Sequence, residues 1–182
     1  ASVTPSTTAS TYTLDRWFLA PSVGSKVSIQ QVTTAPTGFN NSLKVTSLAA
    51  TTVGASDYYE IYQAIEGYNM ADLSWGTANA KTVTLSFWVY SSLTGTFGGS
   101  ICNNAGNRSY PFTYTISLAN TWTQISITIP GDTTGTWLTN NSIGLYVNFG
   151  LGVGSTLAGT AGAWAGAFYI SATGATSVVG TN

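Results

Sequence analysis

The chain has 182 residues, 43% of them hydrophobic, which is enough for one domain with a full core. Charged residues make up only 6%, against about 25% in an ordinary soluble domain, and the net charge is −1. The five Lys and Arg residues are scattered singly, which excludes a basic surface for nucleic acid, and no apolar run is long enough for a membrane-spanning helix.

The first part of the chain predicts an arm followed by short strands. Residues 1–11 are rich in Ser and Thr and lack periodicity, which indicates a linker or an arm lying on another surface. We expect one domain over residues 12–182. Its first elements are a strand at 12–19, a turn at 21–25, a strand at 26–34, a loop at 35–41 and a strand at 42–48.

The clearest alternation lies between residues 57 and 92. It places Tyr58, Glu60 and Tyr62 on one face of a strand and Tyr59 and Ile61 on the other. A second strand, rich in β-branched and aromatic residues, is predicted from residue 83 to 90. Between them, residues 66–81 lose the alternation, which predicts a loop with one helical turn.

The remaining chain continues the β pattern. Pro111 within one run predicts a sheet edge or a bulge there. Because turn signals separate short alternating runs and no amphipathic helix stands out, the sequence predicts an all-β sandwich. The expected elements are strands at 97–103, 108–116, 122–129 and 142–150, a glycine-rich loop at 150–166, and short strands at 167–171 and 177–180.

Four segments of the chain form a recognisable set: TYTLDRWF at 11–18, the run at 58–97, the run at 108–137 and GAWAGAFY at 162–169. The most specific pieces within them are WGTANA at 75–80 and GDTTG at 131–135. Together these segments resemble a bacteriophage family of virion-associated proteins, tail-fibre-like or head-fibre-like, whose repeated unit is a jelly roll similar to carbohydrate-binding modules.

The resemblance implies a jelly roll of two antiparallel sheets on the virion surface. The family pattern continues past a segment like 178–182 into one more apolar strand, so the domain is expected to lack a final strand here. One sheet edge near the C-terminus would then be open or covered by a neighbouring chain.

The residues available for catalysis are few. The chain has no histidine, which excludes Ser-His-Asp and Cys-His sites, and its six carboxylates form no converging pair in sequence. We therefore expect a domain that is not an enzyme. The single Cys102 can form no internal disulfide, and a buried thiol is expected.

Metal binding has weak support from the sequence. No cofactor is expected, although jelly-roll modules often hold a structural calcium through carboxylates and backbone carbonyls. Asp57, Asp72 and Asp132 are the candidate ligands, with solvated turn or cap residues as the alternative.

Sugar binding requires aromatic faces with amides and carboxylates beside them. Trp75, Trp137 and Trp164 lie in loop-like stretches, where they either anchor loops or form a ligand or partner surface. Tyr58 and Tyr62 offer an aromatic platform with Glu60 between them as the hydrogen-bonding group. That face is equally consistent with packing against a second layer.

Three functions follow as hypotheses. The first is a virion surface domain, without catalysis, that decorates a fibre or the capsid and binds host-surface glycans, neighbouring virion subunits, or both. The second is a purely architectural stabilising subunit. The third is a carbohydrate-binding module of a polysaccharide hydrolase. Because the few charges give little repulsion between copies, we also expect a homo-oligomer, and fibre proteins favour a trimer.

Overall fold

A computed structural model describes residues 2–5 and 10–181. The chain forms short β-strands, with 3-10 helices at Gly67–Leu73 and Ser155–Leu157. None of the helical segments in the described ranges has the length and apolarity to cross a membrane. The strands are β1 Ser2–Val3, β2 Thr11–Tyr12, β3 Trp17–Pro21, β4 Val27–Val32, β5 Ser42–Ser47, β6 Tyr58–Glu66, β7 Val83–Val89, β8 Gly95–Asn103, β9 Ser109–Ile116, β10 Thr123–Ile129, β11 Ile143–Val153, β12 Ala158–Gly159 and β13 Ser171–Ala172.

A six-stranded antiparallel sheet, in the order β2-β3-β6-β11-β8-β9, forms one layer. The opposing layer is divided into two antiparallel sheets, β1-β4-β5 and β10-β7. A short parallel pair is formed by β12 and β13, and β13 packs against strands β8, β9 and β11 of the six-stranded sheet. The prediction of an all-β sandwich is confirmed, and the finer assignment as a jelly roll stays a prediction.

The core has two parts because the opposing layer has two parts. Sheet β10-β7 packs over β8, β9 and β11 around residues such as Ile101, Phe112 and Ile129. Sheet β1-β4-β5 packs over β3 and β6 around Leu19 and Ile29. Phe149 of β11 packs against both clusters and therefore joins them.

Most predicted strands are present, and Pro111 lies in β9, at the edge of the six-stranded sheet, as its position predicts. The single strand predicted at 12–19 is wrong. Asp15 and Arg16 have φ angles of 41° and 69°, so the chain turns there and β2 pairs back on β3. The strand predicted at 177–180 is also wrong, because that segment is a turn whose Val179 is buried in the core.

The two ends of the described chain contact the sandwich. Ser2 and Val3 form β1 and pair with β4, so this part of the predicted arm is an edge strand of the three-stranded sheet. Near the other end, the backbone N–H groups of Val178 and Val179 donate to the carbonyl oxygen of Leu151. Together these contacts keep both segments against the two layers.

Candidate functional site

The three loop tryptophans lie together. Trp75 packs edge-to-face on Trp137 and Trp164, with centroid distances of 4.8 and 5.4 Å, and Trp137 and Trp164 are 5.5 Å apart. Trp75 and Trp137 are 6% and 7% exposed, and Trp164 is half-buried. The loop-anchoring alternative is therefore the one that their packing supports.

Each indole N–H of this cluster has an acceptor. Trp75 donates to the Lys81 carbonyl oxygen at 2.7 Å, and Trp164 donates to that of Pro130 at 2.8 Å. Trp137 donates to Asp132 Oδ2 at 3.2 Å. With its donors used inside the fold, the cluster joins three distant loops to the core.

The second predicted group, Tyr58, Glu60 and Tyr62, lies on the outer face of the six-stranded sheet, away from the sandwich core. Strand pairing places Asn148 of β11 beside Tyr62, and Ser100 of β8 beside Asn148. The outer face therefore carries polar side chains in its middle strands, where the inner face carries apolar ones.

A cleft of about 410 Å³ opens on this face, within the range of small-ligand sites. Glu60 lies on its floor, and its aromatic walls are Tyr58, Tyr62, Tyr146 and Phe168. Ser10, Asn148, Leu157 and Ile170 also line it. A depression of about 380 Å³ at 50–53, Ser177 and Gly180 has neither an aromatic nor an ionisable side chain.

Two glycines allow one wall of the cleft to form. A Cβ at Gly150 of β11 would lie 2.8 Å from the Cβ of Ser171, and one at Gly98 of β8 would collide with the Ser171 hydroxyl. The absence of these side chains lets β13 lie directly on the sheet. The chain just before β13 then places Phe168 and Ile170 at the cleft.

Glu60 is the unusual group of the site. It is 6% exposed, and its Oε2 atom has no hydrogen-bond partner among the described residues. Burial raises the pKa of the Glu60 carboxyl to about 8, because desolvation disfavours the charged form. At neutral pH the carboxyl is therefore largely protonated.

The Tyr62 ring, one half of the predicted aromatic platform, packs against two other rings. Phe18 stacks on it at 4.8 Å and 4°, which covers one ring face. Tyr146 meets Tyr62 edge-on at 5.6 Å and 81°. Desolvation is the main cause that raises the pKa of Tyr62, while a hydrogen bond with Ser10 opposes it. A platform formed by Tyr58 and Tyr62 stays a prediction.

The side-chain amide of Asn148, which lines the same cleft as Glu60, is held in place by hydrogen bonds. The Asn148 side-chain nitrogen donates to Ser100 Oγ at 2.9 Å and to Cys102 Sγ at 3.3 Å. Cys102 is buried and free, as predicted. Burial raises the pKa of its thiol to about 12, the Asn148 hydrogen bond lowers it, and the Glu60 charge raises it further.

The three candidate calcium ligands have separate environments. Asp57 accepts from the Gly54 N–H and the Ser22 hydroxyl, Asp72 is exposed, and Asp132 pairs with Arg108. Across the described ranges, no three His, Cys, Asp or Glu side chains group together as metal ligands would. The structural calcium stays a prediction.

Sequence reasoning missed Tyr146, Asn148 and Phe168 as site residues. The alternation of β11 does put Tyr146 and Asn148 on the face opposite Leu145 and Val147. That signal becomes informative only when β11 is known to pair with β6. Phe168 comes from a loop-like stretch and carries no such pattern.

No protein-family model and no curated protein matches the chain. Among solved structures, the chain is similar to the enzymatically active domain of tailspike protein 4 of bacteriophage CBA120, with 16% identity and a TM-score of 0.49. The similarity covers 76% of this chain, which spans 17% of the tailspike chain. At these values it assigns neither a family nor an activity to this chain.

One sequence-based prediction needs correction at this point. We expected a domain that is not an enzyme, and the matched tailspike domain is described as enzymatically active. The prediction is therefore withdrawn. The functional proposal below concerns binding, and it does not depend on the absence of a reaction.

Proposed function

We propose that this chain is a carbohydrate-binding domain on a bacteriophage virion surface, and that it holds a host-surface glycan in the cleft above Glu60. The observation that carries the proposal is the buried Glu60 carboxyl, whose Oε2 atom has no hydrogen-bond partner among the described residues, in a cleft of ligand size lined by aromatic side chains. A folded protein rarely keeps such a group unless something binds it.

The chemistry of the cleft suits a sugar. Aromatic side chains offer apolar surface to the C–H groups of a pyranose ring, and carboxyl and amide groups beside them exchange hydrogen bonds with its hydroxyls. Tyr58, Tyr146 and Phe168 supply the apolar surface, and Glu60 and Asn148 supply the polar groups.

The proposed location on a virion surface is inferred from the sequence. The segments at 58–97 and 108–137 resemble phage virion-associated proteins, and the chain carries only 6% charged residues. A neutral surface rich in hydroxyl groups meets glycans without desolvating ions.

Calorimetric titration with purified host-surface polysaccharide tests the proposal. We expect saturable binding that Tyr58→Ala weakens about tenfold, since losing one aromatic contact costs about 1–2 kcal/mol. Tyr90→Ala removes an exposed tyrosine on the opposite layer and should leave binding unchanged. Equal loss in both variants, or no binding to any host polysaccharide, would refute the proposal.

A second candidate function, contact with neighbouring virion subunits, has its own support. Trp88 and Tyr90 are 39% and 42% exposed on the outer face of sheet β10-β7, and Tyr90 lies 5.3 Å from Trp122. Exposed aromatic groups of this kind mark protein interfaces. Light scattering at high concentration should show an oligomer, such as a trimer, that Trp88→Ala dissociates, and a monomeric wild-type chain would count against this function.

The third hypothesis, a carbohydrate-binding module of a polysaccharide hydrolase, uses the same cleft. It differs in requiring a catalytic domain in the same polypeptide, and the complete gene would show one. Glycan binding in the cleft is common to both hypotheses and is tested by the same titration.

A further inference from the structure

Two polar side chains of the cleft, Asn148 and Glu60, offer acceptor oxygens. The Asn148 side-chain nitrogen is already used by Ser100 and Cys102, which leaves the amide oxygen as its remaining polar atom. The Tyr146 hydroxyl donates to Asn104 Oδ1 at 3.4 Å. Glu60 adds two carboxylate oxygens when ionised, and its Oε2 has no partner among the described residues.

Glu60 has no Lys or Arg beside it among the described residues that line the cleft, although the chain has five such residues. Arg108, for example, is held by Asp132 beside the tryptophan cluster. An ionised carboxylate in a buried position requires a cation or several donors, so Glu60 would lose its proton only when a cation binds beside it.

The walls of the cleft also favour positive charge. The face of an aromatic ring carries negative potential and attracts ammonium groups, more strongly where water is excluded. Tyr58, Tyr62, Tyr146 and Phe168 line the cleft together with Glu60, from strands β6 and β11 and from the segment before β13. Aromatic rings around a carboxylate form a recognised arrangement for binding an ammonium ion.

We propose that the glycan bound in this cleft contains an amino sugar whose nitrogen is not acylated, and that its ammonium group binds Glu60 between the tyrosine rings. This inference rests on the proposed function, because it specifies the sugar class that the same cleft selects. An ammonium has three donors and no acceptor, which matches the Glu60 carboxylate and the Asn148 amide oxygen.

The alternative ligands fit less well. An anionic sugar would find no Lys or Arg among the described residues that line the cleft, and its charge would oppose ionisation of Glu60. A neutral sugar could accept a hydrogen bond from protonated Glu60, but it would leave the acceptors and ring faces without a cation. Selectivity between charged and neutral sugars therefore separates these cases.

The test compares two oligosaccharides of equal length and linkage. One is an oligomer of glucosamine with free amines, and the other is the glucose oligomer, in which a hydroxyl replaces each amine. Calorimetric titration of the wild-type chain at pH 7 should show at least tenfold tighter binding of the amine form. Glu60→Gln should abolish this preference while keeping the shape of the side chain.

Glu66→Gln is the matched control variant. It makes the same carboxyl-to-amide change on the same strand at an exposed position outside the cleft, so the preference should remain at least tenfold. Non-specific attraction between an acidic chain and a cationic oligomer would instead weaken equally in both variants, and that result would overturn the inference.

The remaining outcomes separate the inference from the proposed function. Equal or tighter binding of the glucose oligomer would overturn the inference and leave glycan binding intact. A second outcome is that neither oligomer binds, while host polysaccharide still binds and Tyr58→Ala weakens that binding. This result would also overturn the inference and leave glycan binding intact. If no carbohydrate binds, both the inference and the proposed function fail.

Discussion

Asp132 accepts hydrogen bonds from Arg108 Nε at 2.8 Å and Arg108 NH2 at 2.6 Å, and its Oδ2 also accepts from the Trp137 indole. This one carboxylate therefore connects the 130–137 loop to the start of β9 and to the tryptophan cluster. The Arg108 guanidinium lies 5.9 Å from the Trp164 ring as well, so the ion pair and the aromatic cluster support each other.

Asp132→Asn should lower the free energy of unfolding by about 2–4 kcal/mol, because Arg108 loses its ionic partner in a partly buried site. Denaturant unfolding at pH 7 measures the change. The exposed Asp72→Asn is the control and should change stability by less than about 0.5 kcal/mol. Equal stability of the two variants would show that the ion pair contributes little.

The hydrogen-bonded Asp132 carboxylate should also make the stability of the fold sensitive to acid. Burial alone would raise the pKa of the Asp132 carboxyl, but the hydrogen bonds from Arg108, Thr134 and Trp137 lower that pKa from its ordinary value. Its stabilisation is thus present above the unfolded-state pKa and is lost as pH falls through the folded-state pKa. Wild-type stability should fall below about pH 4 more steeply than that of Asp132→Asn.

The tryptophan cluster should contribute mainly to the stability of the fold. Trp75→Ala should cost about 3–5 kcal/mol, since it removes a buried ring with two aromatic neighbours. Trp88→Ala, at an exposed strand position, should cost less than about 1 kcal/mol. Thermal and denaturant unfolding would measure both, and a neutral Trp75→Ala would argue against the loop-anchoring role.

The sequence predicts most strands because hydrophobic alternation records which face of a strand is buried. It fails at Asp15 and Arg16, where alternation continues through two residues that adopt left-handed φ angles and reverse the chain. Alternation alone does not report such a turn. The contact among Trp75, Trp137 and Trp164 was equally hidden, because it joins three loops far apart in sequence.

The cleft was partly predictable. Alternation places Tyr58, Glu60 and Tyr62 on one face, but it does not say whether that face lies inside or outside. Only the pairing of β6 with β11 brings in Asn148 and Tyr146. Strand register depends on contacts across the whole sheet, which local sequence does not encode.

The close contact between Gly98 and β13 should determine the position of the cleft wall. Gly98→Ala forces a Cβ against Ser171 and the Ala172 backbone N, 2.9 Å away, and should destabilise the fold by about 1–3 kcal/mol. Because the displaced segment leads from Phe168, glycan affinity should also fall. Gly166→Ala meets nothing closer than 4.0 Å from its new Cβ and should leave both unchanged.

Glu60 should make stability depend on pH in the opposite direction from Asp132. Its pKa is about 8 in the folded chain and near 4.5 when unfolded, so the folded state binds more protons between these values. The Glu60 contribution is therefore complete below about pH 4.5 and is lost as pH rises to 8. Between pH 5 and 8 it should lower stability by up to about 4 kcal/mol.

Unfolding of the wild type and of Glu60→Gln at pH 5, 6, 7 and 8 measures this dependence. The amide cannot ionise, so the variant should lose less stability over this interval and should be the more stable protein at pH 8. Parallel profiles for the two proteins would show that Glu60 titrates as an ordinary carboxyl group.

The most direct test of the central claim is nuclear magnetic resonance mapping of the backbone amides during titration with a host-surface polysaccharide fragment. The account predicts that the largest shifts occur at Glu60, Tyr62, Asn148 and Phe168, around the cleft. Shifts confined to Trp88, Tyr90 and Trp122, on the opposite layer, would contradict binding in the cleft.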